Sequence, residues 1–350
     1  MEDCAFCGDG VCSSNEDCSN CSADCGGCPA CGDGICNGFE TCANCSDCSS
    51  CFPAALQAFY RGHETENILT ATSQAGTSWA GNFILNNSSQ TENSPGAAIL
   101  NDRMFLFHRG KTQDFVYFAW SEDGQTWSAN RKLGNGARTE SGVAAVTFNN
   151  RIYVFHKGRT SKALWVSSSS SGMLWNSLDH KRITSESNGL FGTPAPVVYD
   201  GRLHVFFIKN PDTIRSVSTA DGVTWTQGPS IPGATGDGVG VAAFNDTLYM
   251  VLKKPLPGTV PGTSSDDHAL HYRVMQNDGT WSGDTRILSA RTDRRPALVA
   301  TNDRLVALYK WPGRDSRLFY AYSFDGITWQ GNVPARGQTS NGGPALIYTD

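Results

Sequence analysis

Basic and acidic residues recur at matched places along this chain. Arg61, Arg109, Lys157, Lys253 and Lys310 each close an apolar segment, with Lys209 one place out of register. Glu92, Glu140, Glu186, Asp237 and Asp293 each stand just before a run of small residues, in phrases such as "TENS", "TESG" and "TDRR". The sixth equivalent, "TSNG", has no acid. A third recurring position holds a ring: Tyr117, Trp165, His271 or Phe319. A cation and a carboxylate can grip neighbouring hydroxyls through forked, charge-assisted hydrogen bonds, while a ring face packs on C–H groups. That set suits a polyhydroxylated ligand, a sugar above all. The same residues could instead form a ring of salt bridges between repeated units, with the rings in the core. Both readings stand at this level. His108 and His156 read as packing residues rather than catalytic ones.

A second constellation lies at the N-terminus. All thirteen cysteines fall within the first 51 residues. "CGDGVCSSNEDCSNCSADCGGC" and "CGDGICNGFETCANCSDCSSC" align with a period of 24, placing six cysteines in each repeat and leaving Cys4 over. Six closely spaced thiols without a nearby histidine fit an oxidised disulfide scaffold better than zinc. So short a segment closes no core of its own, so cross-links replace one. Asp9, Glu16 and Asp24 return in register as Asp33, Glu40 and Asp47. The plainer reading is solvated turns with no cofactor required; the sharper one is calcium, which repeated carboxylates on a tied loop suit.

The elements that must position the first set are written in a longer repeat. Trp79, Trp127, Trp175, Trp225, Trp281 and Trp329 stand 48, 48, 50, 56 and 48 residues apart. A turn phrase such as "SEDGQTW", "TADGVTW" or "SFDGITW" carries each one. Upstream lie an alternating apolar strand ("RMFLFHRG", "RIYVFHKG") and, before it, a small-residue strand ("GAAIL", "GVAAV", "GGPALIY"). Four strands per unit, repeated, predict the blades of a β-propeller. The chain stops after the first strand of a unit and its propeller part begins with the second. The two ends therefore complete one blade, Gly342–Asp350 beside Ala55–Gly62, and the count is six. The expected fold is all-β: a six-bladed propeller over 52–350 behind a disulfide-rich module over 1–51. In that topology the Trp-containing turns lie on the bottom, and the cations and acids on the top.

Composition narrows the partners. A net charge of −5 without a basic run argues against nucleic acid. No apolar stretch of about 20 residues predicts a membrane span. The opening "MEDCAFC" has no apolar signal region, so the chain reads as a mature form or one with an added start Met. The cysteines imply a secreted or cell-surface protein, with glycans or a cell-surface molecule as partner.

The phrase S-x-D-G-x-T-W resembles the Asp box of sialidase-type propellers, one residue shorter, with Ala75 and Ser171 in place of Asp in two copies. The cysteine phrase resembles repeats in secreted proteins of bacteria such as myxobacteria. A sialidase would gather three arginines and an Arg-Ile-Pro phrase near the propeller start. Here that start reads "CFPAALQAF", and "RRPAL" at Arg294 to Leu298 is the nearest echo. Similar polar sets in several units argue for several similar sites, where catalysis needs one asymmetric site. In layout the chain is similar to six-bladed fucose-binding lectins, which implies carbohydrate binding at blade junctions without catalysis. A sialidase-like hydrolase and a protein-binding scaffold are the alternatives. One asymmetry is the extended top loop "KPLPGTVPGTSSDDHA" in the fifth blade.

Overall fold

Glycine and alanine fill the first strand of each repeat because six such strands converge on one axis. In the computed structural model a Cβ on Gly96 would lie 2.6 Å from the Ala144 Cα, and one on Gly240 would lie 2.9 Å from the Leu298 amide. Larger side chains cannot enter such gaps. The structure describes residues 55–134, 136–184, 189–209, 213–233, 236–256, 268–313 and 315–349. The cysteine module with its six carboxylates, Glu186 and most of the extended fifth-blade loop lie outside them.

The unit Ala54–Asp350 is a six-bladed β-propeller of antiparallel sheets, five with four strands and one with a short fifth. Numbered by their tryptophans, blade 1 combines Ala345–Thr349 with Ala55–Arg61, Ile68–Ser73 and Ala80–Ile84. Blade 2 holds Gly96–Leu100, Arg103–Arg109, Val116–Ser121 and Arg131–Lys132. Blade 3 holds Thr139–Phe148, Arg151–Gly158, Leu164–Ser169 and His180–Arg182. Blade 4 holds Leu190–Tyr199, Arg202–Lys209, Thr213–Thr219, Thr226–Gln227 and Ile231–Pro232. Blades 5 and 6 begin at Gly240–Phe244 and Ala297–Ala300 and end at Thr285–Arg291 and Gln330–Thr339. Ala55 to Phe59 pair with Thr349 to Ala345, so both ends of the unit close one blade as the repeat required.

Two kinds of turn shape the bottom. Asn101-Asp102, Asn149-Asn150, Asp200-Gly201 and Asn245-Asp246 all take positive φ, the two-residue hairpin geometry that matches strand twist. In the second kind, Asp123 Oδ1 accepts from the amides of Gln125 and Thr126 at 2.8 and 2.6 Å. The Thr224 and Val223 amides hold the Asp221 carboxyl well below the usual range in the same way. Ser171 replaces the carboxylate in blade 3 and accepts from Met173 and Leu174 at 3.2 Å. At the next residue glycine is needed twice over. Gly222 has φ of 74°, and a side chain there would collide with the Tyr153 hydroxyl.

The core is a set of wedges between blades. Each wedge takes a tryptophan from one blade and an aromatic from the blade before it. Trp127 stands edge-on to Phe59 at 5.4 Å, Trp175 to Phe107 at 5.5 Å, Trp225 to Phe155 at 5.8 Å and Trp281 to Phe206 at 5.6 Å. Second strands are buried on both faces for the same reason, each lying between two wedges. The fourth strands depart from expectation. In blades 2, 3 and 5 they open several residues after the tryptophan, and in blades 2 to 4 they span only two or three residues. As outer edges they pair on one side only, and short edges resist further strand addition.

Candidate functional site

On the top face, the second strand of each blade ends close to the segment that enters its first strand. A buried hydroxyl fixes that segment. Thr91, Thr139, Thr292 and Ser340 are fully buried, and each accepts from the amide two residues on. This is the role of the threonine in "TEN", "TES" and "TDR". The acids beside Thr91 and Thr139, Glu92 and Glu140, are thereby held at the surface.

The two charged columns meet. Arg109 uses its whole fork: Nη1 lies 2.7 Å from Glu92, Nη2 lies 2.6 Å from Asp114, and Nε donates to the Thr139 carbonyl at 3.2 Å. Lys157 lies 2.6 Å from Glu140, whose other oxygen takes Lys162. Lys253 lies 3.3 Å from Asp237 and donates to the Asp293 carbonyl at 2.9 Å. Lys310 lies 2.9 Å from Asp293. Arg61, whose blade lacks the acid, turns to Glu66 at 3.0 Å and to the Glu92 carbonyl at 3.3 Å. Each of the four matched pairs therefore lies within one blade, while Arg61, Arg109 and Lys253 also reach a carbonyl of the next.

Exposure separates the partners. The side chains of Lys253 and Arg109 are 8% and 14% exposed, whereas those of Asp237 and Glu92 are 44% and 47% exposed. In these two pairs the cation sits beneath and the carboxylate stands above, whereas in Lys310–Asp293 both are enclosed. A buried, paired cation holds its carboxylate in a fixed direction, so what the face offers to a ligand is mainly acceptors. The Arg109 guanidinium holds the Asp114 carboxyl below its ordinary range.

The rings follow strand register. Tyr117 is opposite His108 and Val116 is opposite Arg109, so the ring and the cation of one blade point to opposite sides. In blade 3, Trp165 is opposite His156 and Leu164 is opposite Lys157. By that register the ring of one blade turns toward the blade before it, Tyr117 toward the blade of Arg61 and Trp165 toward the blade of Arg109. Tyr117 stacks on His108 at 5.9 Å and donates its hydroxyl to Gln113. Trp165 donates Nε1 to Ser161 at 2.8 Å and lies 4.7 Å from the His180 ring. Both rings stay partly exposed. Phe319 is buried under Trp311 at 4.5 Å. His108 is locked by the Arg109 carbonyl and Asn130, each at 3.0 Å, as a packing residue.

Glu66, Asp114 and Lys162 complete these clusters and were not singled out in the sequence, because they stand in hairpin loops that do not repeat from blade to blade. Arg294 and Arg295 were noticed only as part of "RRPAL". They follow Asp293 and line the mouth of the central channel with Arg61, Glu92 and Asp237.

No family model and no curated protein matches the chain. Solved structures do. The fungal lectin of Aleuria aurantia, described as a six-bladed β-propeller with a novel fucose recognition mode, aligns with a TM-score of 0.60. It shares 15% identity, over 81% of this chain and 93% of the lectin. The SapL1 lectin, solved with α-methyl fucoside, aligns with a TM-score of 0.54 at 14% identity, over 83% of this chain and 96% of that one. An α-L-arabinofuranosidase from Clostridium thermocellum also aligns, with a TM-score of 0.47 at 15% identity, over 69% of this chain and 93% of that one. What this chain shares with the two lectins is the fold.

Proposed function

We propose that this protein is a carbohydrate-binding propeller with several similar glycan sites at its blade junctions. One observation carries the reading. Surface carboxylates held by buried cations recur at Glu92, Glu140 and Asp237, and a neighbouring blade supplies a part-exposed ring at the Tyr117 and Trp165 junctions. Oriented acceptors beside a ring face match the alternating hydroxyl and C–H surfaces of a sugar. Repetition favours binding over catalysis, since the charged sets are near-equivalent and none is singled out as a reactive centre. The fold shared with two lectins solved with or named for fucose supports the same reading and makes an α-fucoside the first ligand to try.

The cysteine repeats, read as a disulfide module that calcium binds through Asp9, Glu16, Asp24, Asp33, Glu40 and Asp47, suit a secreted or surface-attached lectin. The test is a glycan array followed by calorimetry with the best free sugar. A single shallow site is expected to bind at micromolar to millimolar Kd, roughly −4 to −8 kcal/mol, with more than one site per chain. A stoichiometry of one, lost completely on changing a single junction, would sink the multivalent reading.

A further inference from the structure

The mouth of the central channel differs from the junctions in one respect. Arg61, Arg109, Lys157, Lys253 and Lys310 all have carboxylate partners. Arg294 and Arg295, at the head of blade 6, form no ion pair among the described residues. Arg295 makes one hydrogen bond, Nε to the Val239 carbonyl at 3.2 Å, which leaves both of its terminal nitrogens without a protein acceptor among the described residues. Burial pushes its guanidinium down to about 10, so it stays charged at neutral pH, and the side chain, part-exposed, lines the channel mouth.

The surroundings form a cavity of about 140 Å³. Ser94 and Thr193, 8% and 5% exposed, line it, and neither hydroxyl has a hydrogen-bond partner among the described residues. Gly238 and Gly343 keep the neck open. A Cβ on either would come within 3.1 Å of the Arg295 side chain. The two acids on the wall, Glu92 and Asp237, are already matched by Arg109 and Lys253. With Arg61 matched by Glu66, the uncompensated charge at the mouth among the described residues is that of the two arginines.

We propose that this mouth is a single binding site for a small oxyanion, a sulfate or carboxylate group, held by Arg294 and Arg295 with the Ser94 and Thr193 hydroxyls as further donors. Guanidinium forks match the geometry of such groups, and hydroxyl donors fill the remaining lone pairs. The oxyanion arrives either free or as the acidic substituent of a sugar. The site shares the wall residues Arg61, Glu92 and Asp237 with the junctions but takes its donors from Arg294, Arg295, Ser94 and Thr193, and it does not depend on the junctions binding glycans.

The experiment is calorimetry on the full chain at low ionic strength, titrating sodium sulfate in one arm and glucuronate in the other, with neutral fucoside as a control. Wild type is expected to bind at least one of the two anions at one site with Kd of about 1 mM. Arg294→Ala, at an exposed position, should weaken that by about tenfold, and Arg295→Met should weaken it further. Neither should change whatever binding the neutral sugar shows. Sulfate alone binding assigns the site to a free ion; glucuronate binding assigns it to an acidic sugar. Flat titrations with both anions, or Arg294→Ala binding as wild type does, would overturn the proposal. Failure of the fucoside control alone would count against the junction reading and leave this one standing.

Discussion

Lys310 Nζ lies 2.9 Å from Asp293 Oδ2, with 4% of the lysine side chain and 11% of the aspartate side chain exposed. The same ammonium donates to the carbonyls of Trp311 and Gly313 at 3.0 and 3.4 Å. Among the described residues this is the most enclosed ion pair of the propeller. Its partners come from the entry segment and second strand of blade 6, so it pins the head of the inner strand to the blade. Attraction and desolvation largely cancel in such a pair, but one half left alone does not cancel.

Lys310→Met is therefore expected to destabilise the protein by roughly 3 kcal/mol. The double change Lys310→Met with Asp293→Leu should recover much of the loss. Urea unfolding of the four proteins in a double-mutant cycle measures this, provided the denaturant slope is unchanged. A single-variant loss under about 0.5 kcal/mol would place the pair with ordinary surface bridges.

Glu140→Gln separates binding from folding. The carboxylate is about one-third exposed and its cation Lys157 is mostly buried. The amide keeps shape and one acceptor but loses the charge. Stability is expected to fall by about 1 kcal/mol or less, while attachment to a glycan-coated surface weakens by a modest factor because the other junctions remain. Surface plasmon resonance beside thermal melts checks both. Unchanged attachment with lost stability would mean that the ion pair is structural only.

The architecture was legible in the sequence because propeller geometry repeats. Each tryptophan wedge and each bottom turn demands the same residue types, so the period of the tryptophans and the split blade at the two ends could be read directly. That the charged columns share one face was also legible, but not that each matched cation pairs with the acid of its own blade, the alternative being salt bridges between repeated units. The order of burial was not. Nothing in the spelling of Arg109 and Glu92 says that the cation lies beneath and the carboxylate above. Nor does sequence spacing show that Asp114 and Glu66 fold back from hairpins, or that Arg295 has no counter-charge among the described residues. Those depend on side-chain paths in three dimensions. Outer strands were misjudged because an edge strand obeys fewer constraints than an inner one.

His156 makes folding sensitive to acid. Its ring is buried and neither nitrogen has a hydrogen-bond partner among the described residues. Burial, and then the charge of nearby His180, push it down to about 3. An unfolded histidine titrates near about 6.5, so below that pH the unfolded chain binds a proton the folded one refuses. Stability contributed by the neutral ring is complete above about pH 6.5 and is lost as pH falls toward the folded value, at up to about 1.4 kcal/mol per pH unit. Asp221 and Asp325, held low by turn amides, also lose stability in acid, but below about pH 4. Comparing wild type with His156→Leu between pH 7 and 5 isolates the histidine. The variant should show a flatter stability curve there, and parallel curves would refute the assignment.

Closure of the ring by residues 342–350 gives the last prediction. Ala345–Thr349 supplies the inner strand of blade 1, and Thr349 Oγ1 both accepts from the Ala55 amide at 3.1 Å and donates to the Ala55 carbonyl at 2.9 Å. Ser340 at the head of this strand donates to the Arg61 carbonyl at 2.8 Å. Deleting residues 342–350 would leave Ala55–Arg61, buried along almost its whole length, as an open apolar edge. It would also remove the neighbour that the inner strands of blades 2 and 6 contact. A closed ring transmits that loss to both adjoining wedges. Tm is therefore expected to drop by about 10 °C or more, and the exposed edge should drive association. Calorimetry with size-exclusion chromatography reads both effects. Adding the nine-residue peptide in trans should restore part of the lost Tm. A truncated chain that stays monomeric and melts like the full one would mean that the first and last strands do not hold the ring shut.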